Sequence, residues 1–167
     1  LINLFKAVEK VDQVKKIVIV GDGEKKEELK QLSKQMNTKV EFLGVLPSKD
    51  LPSILNKYEI YILPSKYEGM PKTLLEAMST GRVCIGTNVI GINNIIENQK
   101  DGLICAPDAD GIANSLKSVI INSALRLKLK KNARKKIVDK YSIEVLLDKE
   151  INYYKELLGI EKGFKMR

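Results

Sequence analysis

At 167 residues with 44% hydrophobic content, the chain has room for one domain with a real core, and no apolar run approaches the ~20 residues that span a membrane. The net charge is +8 but aromatics make up only 5%, which leaves few stacking platforms for nucleic acid. With no histidine, imidazole acid–base chemistry and His-ligated metals are excluded. No cysteine or carboxylate cluster supplies another metal site.

In chain order, residues 2–11 predict a helix and Ile17–Val20 a strand, which enters the turn Gly21-Asp22-Gly23. Glu24 to Met36 read as a helix with an acidic first turn and with Leu29, Leu32 and Met36 on one face. Val40–Leu43 reads as the next strand, and Ser48 as the N-cap of a helix carrying Leu51, Ile54 and Leu55. Ile60–Leu63 precedes a helix that opens at Pro71. Val83–Thr87 and Leu103–Cys105 follow, with a short helix between them. Asp108 is the expected cap of a helix bearing Ile112, Leu116, Val119 and Ile120, and Ser142 opens a last helix striped by Leu147, Ile151, Tyr154 and Leu158. This alternation predicts an α/β fold, a doubly wound parallel sheet, with no internal repeat or linker. Cys84 and Cys105 fall in buried strands and are expected to be free thiols in a reducing compartment.

The chemistry concentrates in Tyr67-Glu68-Gly69-Met70-Pro71-Lys72-Thr73-Leu74-Leu75-Glu76-Ala77-Met78-Ser79-Thr80-Gly81. The segment makes a strand–loop–helix passage, where α/β folds place ligands. Pro71 reads as the first helical position. Glu68 then lies in the loop and Glu76 in the second turn, roughly 7–8 Å along the axis from Pro71. Helical side chains lean toward the N-terminus, so both carboxylates can face one ligand across the helix start. A solvated acidic helix start accounts for Glu68 alone, not for the rest of the pattern.

Glu68, Gly69, Pro71, Glu76, Ala77, Met78 and Gly81 resemble the signature of family-four retaining GT-B glycosyltransferases, in their C-terminal, nucleotide-sugar-binding domain. Lys16–Gly23, Val40–Gly44, Val83–Thr87 and Asp101–Cys105 are similar to further strands of that domain. Ile90 stands where the family usually has a second glycine, Asn93-Asn94 where it has Pro-Glu, and Val83 where Pro is common. The resemblance implies a Rossmann-like sheet, the C-terminal half of a GT-B fold. It implies transfer of a hexosyl unit from a nucleotide sugar, with retention and without a metal, to a glycan or lipid-linked acceptor.

On this resemblance Glu68 is the catalytic candidate, near the donor sugar, and Glu76 accepts hydrogen bonds from ribose hydroxyls. The amides of Lys72, Thr73 and Leu74 in the first helical turn face the diphosphate. The Lys72 side chain either adds a cation there or faces solvent. Gly69, Met70 and Pro71 complete the donor-binding loop, and Gly69 leaves room for close approach of the sugar. Val45 and Leu46 map to the loop that contacts the nucleobase. Gly21 and Gly23 are weaker donor-site candidates, since a Gly-x-Gly turn is common without any ligand.

The run of cations between Arg126 and Lys136 is either a solvated helix face or an attraction to anionic lipid or phosphorylated substrate. The expected location is cytoplasmic, with peripheral contact at the inner face of the membrane as an open reading. In the resembling family this domain starts one strand earlier, in the centre of the sheet, and the next loop carries an Arg and a Lys for the diphosphate. An acceptor-binding domain precedes it. The expectation is therefore a fragment, inactive alone, whose sheet lacks a strand between Ile17–Val20 and Ile60–Leu63. The other readings are a non-catalytic Rossmann-like nucleotide-binding module and a GT-B-fold sugar-nucleotide epimerase.

Overall fold

The computed structural model describes residues 1–159. In chain order the elements are α1 (Ile2–Val8), β1 (Lys16–Val20), α2 (Lys26–Ser33), β2 (Lys39–Gly44), α3 (Leu51–Leu55), β3 (Ile60–Leu63), α4 (Lys72–Ser79), β4 (Val83–Thr87), α5 (Ile90–Asn93), β5 (Leu103–Cys105), α6 (Ala109–Ile121), α7 (Ser123–Tyr141) and α8 (Ile143–Leu157). All five predicted strands form, within a residue of their expected ends.

Every strand pairing is parallel. β1 pairs with β2, with Ile17 opposite Val40, and β4 lies between β3 and β5, with Ile62 and Leu103 both level with Ile85. All five residues of β4 are buried. Side chains alternate across a strand, so β4 serves two cores. Val83 and Ile85 face one core with Leu4 and Val8 of α1, Ile112 and Leu116 of α6 and Leu129 of α7. Cys84 faces the other, with Leu74, Ala77 and Met78 of α4 and Ile92 of α5. Both cysteines are free and buried.

Among the described residues β1 and β3 belong to separate hydrogen-bonded sheets. Both line one cleft of about 1330 Å³, and no residue of either strand is buried. The β1–β2 pair is joined to the rest through Val14, Ile17 and Met36, which pack on the α1/α6 core. The Glu9 carboxylate adds to this by accepting from the Asn37 and Thr38 amides at 3.1 and 3.2 Å.

Some local expectations need correction. α1 ends at Val8 and α2 spans only Lys26–Ser33, so Glu24 lies outside it and Glu27 and Glu28 supply the acidic turn. Ser48 does not cap α3: it starts a 3-10 turn, Ser48–Asp50, that leads into the helix, and no side-chain cap bond forms. Pro52 at the start of α3 has no N–H for such a cap to engage. Asp108 and Ser142 do cap, accepting from the Gly111 and Val145 amides at 2.7 and 3.4 Å.

The cationic run on α7 is largely engaged within the protein. Arg126 donates to the carbonyls of Val119 and Ile120 at the end of α6, and Arg134 donates to the Ser79 carbonyl. Lys136 pairs with the buried Asp101 at 2.5 Å and donates to the Ile95 carbonyl. These bonds fasten α7 to the sheet; α7 itself buries only Leu129 and Ala133. α8 carries Leu147, Ile151 and Tyr154 of the predicted stripe, with Leu158 at its C-cap, but all four are exposed.

Candidate functional site

α4 gives the site its frame. Pro71 is the residue before the helix, not its first turn, with φ −75° and ψ 92°. The helix begins at Lys72 and buries Leu74, Ala77 and Met78 on one face. Thr73 and Glu76, three residues apart, therefore share the other face and line the cleft. The helix stops at Gly81, whose φ of 68° is the left-handed value that favours glycine. Gly81 and Arg82 donate to the Met78 and Ala77 carbonyls at 3.0 and 3.1 Å, the paired closing bonds of a Schellman motif.

At the other end of α4, the first-turn amides are only partly available. The Leu74 amide donates to the Pro71 carbonyl at 3.1 Å, which corrects the expectation that it faces a ligand. The helix starts one residue later than Pro71 suggests, so this third amide closes back on the cap carbonyl. Among the described residues the amides of Lys72 and Thr73 have no partner. Two aligned donors at a helix N-terminus suit an anion.

Glu76 Oε2 is buried and has no hydrogen-bond partner. Such an atom costs about 1–3 kcal/mol when left unsatisfied. Glu68 is half-buried and is held by Ser65, whose hydroxyl donates to Glu68 Oε1 at 2.6 Å. Ser65 is itself fixed. The buried Thr87 hydroxyl, at the end of β4, reaches the carbonyls of Ser65 and Leu63. Gly91 of α5 packs directly on the Glu68–Gly69 backbone.

Tyr61 of β3 lies within electrostatic reach of both carboxylates. Its hydroxyl donates to Thr73 Oγ1 at 2.7 Å. Burial pushes the phenol pKa up to about 12, the Thr73 bond opposes the rise, and the charges of Glu68 and Glu76 add to it.

The structure gathers Gly21, Val45, Leu46, Thr73 and Glu76 around the cleft. Glu68, Gly69, Met70, Pro71 and Lys72 do not line it, and Leu74 is buried beneath it. Lys72 and Met70 are exposed, and a β-carbon at Gly69 would meet nothing within 4 Å, so the fold itself does not demand glycine there. The Gly-x-Gly turn is no open amide cradle. The Gly21 amide donates to the Gly44 carbonyl at 2.7 Å and the Gly23 amide to Asp22 Oδ1 at 2.8 Å. Gly21 needs its glycine for a φ of 118°; Gly23 lines a smaller neighbouring pocket. Among the described residues no group of three or more His, Cys, Asp or Glu is placed to hold a metal. No helix there is long and apolar enough to cross a membrane.

Residues 1–136 match the family described as glycosyl transferases group 1. The chain belongs to that family. Among its relatives, the Escherichia coli protein named UDP-Gal:alpha-D-GlcNAc-diphosphoundecaprenol alpha-1,3-galactosyltransferase is 39% identical over 143 residues. That match covers 84% of this chain and 37% of the relative. The Bacillus anthracis N-acetyl-alpha-D-glucosaminyl L-malate synthase is 27% identical over 162 residues, 96% of this chain and 42% of the relative. The chain thus spans about two fifths of the length of these relatives. Anabaena Alr3699/HepE, solved in complex with UDP, superposes with a TM-score of 0.83 at 18% identity, covering 92% of this chain and 44% of that one. That likeness shows the fold: this glycosyltransferase chain is the C-terminal, Rossmann-like half of a GT-B architecture.

Sequence reading of this chain missed Tyr61, Ser65, Thr87 and Gly91. Gly91 carried a signal, a glycine flanked by Ile90 and Ile92. Tyr61, Ser65 and Thr87 carried none, because their roles arise from the adjacency of β3, β4 and α4.

Proposed function

We propose that this chain is the donor-binding part of a retaining glycosyltransferase that moves a hexosyl unit from a nucleotide sugar to a glycan or lipid-linked acceptor. The observation that carries the reading is the buried, unpartnered Glu76 Oε2 on the cleft wall, one helical turn from the free Lys72 and Thr73 amides. A carboxylate in want of donors and amides in want of an acceptor sit side by side. A nucleoside diphosphate supplies both, with ribose hydroxyls for Glu76 and phosphate oxygens for the amides. In this reading Val45 and Leu46, which line the same cleft, contact the base.

Transfer leaves positive charge at the anomeric carbon and negative charge on the departing diphosphate. Glu68, fixed by Ser65 and Gly91, stabilises the first and orients a sugar hydroxyl; the start of α4 stabilises the second. The open space over Gly69 admits the sugar ring. Lys72, exposed at the same helix start, adds a cation. In this scheme helix amides and cations balance the diphosphate charge, and no metal ion takes part.

The Escherichia coli relative's name supports the finer points. It gives a UDP-hexose donor, a lipid diphosphate acceptor and an α-linked product. UDP-galactose is itself α-linked, so an α product means retention.

The test uses the full-length protein that contains this chain, with UDP-Gal, UDP-Glc, UDP-GlcNAc and GDP-mannose as donors, with and without EDTA. Transfer or slow hydrolysis of one donor, with an α product by NMR and no loss in EDTA, is expected. Failure of every donor, together with no binding of UDP, GDP or ADP, overturns the reading. A β product overturns retention, and loss in EDTA overturns the metal-free scheme.

A further inference from the structure

We infer that Tyr61 is a positioning residue of the donor site: its hydroxyl fixes the Thr73 hydroxyl as a hydrogen-bond donor to the diphosphate. The inference rests on the donor-site reading above and goes beyond it in assigning a task to a strand residue outside the glutamate motif.

Tyr61 stands opposite Cys84 in the β3–β4 register and packs on the cluster formed by α4, Cys84 and Ile92. A phenylalanine would serve that packing equally well. What tyrosine adds is the hydroxyl, and on this half-buried ring the hydroxyl is spent on a protein partner. The partner is Thr73 Oγ1, at 2.7 Å, on the second residue of α4. Both side chains line the cleft together with Glu76.

A phenol is a stronger acid and a weaker acceptor than an alkyl hydroxyl, so in this 2.7 Å bond the neutral Tyr61 is the donor. A threonine hydroxyl has one proton to donate and can accept two bonds. With Tyr61 donating to its oxygen, the Thr73 proton is free, and it lies beside the unpartnered amides of Thr73 and Lys72. The helix start then presents three donors rather than two. The tyrosine also holds the threonine rotamer, so the third donor is in place before a ligand arrives. A donor that itself accepts a hydrogen bond is strengthened by it. The phenol stays neutral across the physiological range, so this polarity does not switch with pH. The titratable groups acting on the phenol are Cys84, Glu68 and Glu76, and all three oppose its ionisation.

A purely structural tie between β3 and α4 would stabilise the fold without favouring any part of the ligand. The two roles separate by comparing a nucleoside diphosphate with its parent nucleoside. The experiment uses the full-length protein in wild-type, Tyr61→Phe, Thr73→Val, Thr73→Ser and double Tyr61→Phe/Thr73→Val forms. The probes are whichever of UDP, GDP and ADP the wild type binds, and the matching nucleoside, measured by calorimetry and ligand-observed NMR.

Tyr61→Phe and Thr73→Val should each weaken the diphosphate roughly threefold to tenfold, the size of one hydrogen bond, and leave the nucleoside within about twofold. The double variant should be no worse than the poorer single one, because both remove the same donor. Thr73→Ser should keep near-wild-type affinity. Equal diphosphate affinity in wild type and Tyr61→Phe, or parallel losses for diphosphate and nucleoside, would overturn the inference. Should Tyr61→Phe fail to fold, the Thr73 pair decides: loss in Thr73→Val with retention in Thr73→Ser supports it, and an unchanged Thr73→Val overturns it. A wild type that binds no nucleoside diphosphate overturns the donor-site reading and this inference with it. A wild type that binds while Tyr61→Phe binds equally well overturns the role of Tyr61 alone.

Discussion

Gly91 lies hard against the backbone of Gly69. A β-carbon at position 91 would collide with the carbonyl oxygens of Glu68 and Gly69 and stand 2.7 Å from the Glu68 carbonyl carbon. α5 can come this close to the glutamate loop because Gly86 also leaves room for Ile92 on β4. Gly91→Ala should therefore displace the loop that carries Glu68. Overpacking of this kind costs about 1–3 kcal/mol, and a misplacement near 1 Å can lower turnover about a hundredfold. In the full-length enzyme kcat should fall far more than nucleotide affinity, since Glu76 and α4 stay in place. A Gly91→Ala enzyme with wild-type kcat would show that the loop yields freely.

Glu76, the proposed ribose acceptor, works against the stability of the free protein. Its unpartnered Oε2 predicts that Glu76→Met raises the unfolding free energy by about 1 kcal/mol, because a similar volume is filled without an unsatisfied oxygen. The same change should weaken nucleoside diphosphate binding by about 1.5–3 kcal/mol through loss of a charged acceptor. Denaturant melts and calorimetric titration read the two quantities. Opposite signs are expected; a loss of stability would mean that Glu76 already has a partner in solution.

Much of this arrangement was legible in the sequence. Apolar runs marked all five strands within a residue, and the strand–loop–helix passage after β3 marked the segment from which Glu76 lines the cleft. The details that escaped depend on tertiary neighbours. Tyr61 meets Thr73 across twelve positions and Thr87 reaches Ser65 across twenty-two, distances at which no local pattern speaks. The Leu74 amide is lost to a ligand because the helix starts at Lys72, a one-residue difference beyond the resolution of a proline signal. The cationic run on α7 read as surface charge, yet Arg126, Arg134 and Lys136 serve backbone carbonyls of neighbouring elements.

Glu68→Gln should separate binding from chemistry. The amide keeps the shape and can still accept from the Ser65 hydroxyl, so the loop should hold its place. In the proposed scheme this removes the negative charge near the anomeric carbon. Its effect is greatest as positive charge develops there, so kcat should drop by tenfold or more, as an order of magnitude, while nucleoside diphosphate affinity changes little. Steady-state kinetics beside binding of the bare diphosphate would decide. Small, equal effects on both would return Glu68 to a role in shaping the loop.

Tyr61 should be recognisable by its titration. Its phenol pKa is pushed up to about 12 from the ordinary value of 10.0, chiefly by burial. The folded state thus favours the neutral phenol. This contribution to stability is fully present below pH 10 and is lost as pH rises toward about 12, where the folded protein also ionises. Ultraviolet difference titration of wild type against Tyr61→Phe should show one phenol ionising near pH 12. Ionisation of that phenol near pH 10 would place its hydroxyl in open solvent and break the proposed link to Thr73.

The last prediction concerns the two strands that border the cleft. β1 is paired on one side to β2, and β3 on one side to β4. Alternate residues of a parallel strand point their N–H groups to opposite sides, so part of each strand's backbone faces the cleft. None of the residues in β1 or β3 is buried, and solvent that reaches Ile17, Ile19, Ile60 and Ile62 also reaches those amides. β4, buried throughout and paired on both sides, offers no such opening. In the 167-residue chain, hydrogen exchange should therefore be fast at the cleft-facing amides of β1 and β3 and slow throughout β4. The same exposed edges are templates for pairing between molecules, so the chain should bind an apolar dye and self-associate as concentration rises. Exchange followed by NMR, with light scattering over a concentration series, measures both. Uniform protection across β1, β3 and β4, in a chain that stays monomeric, would mean that the two sheets close on each other in solution.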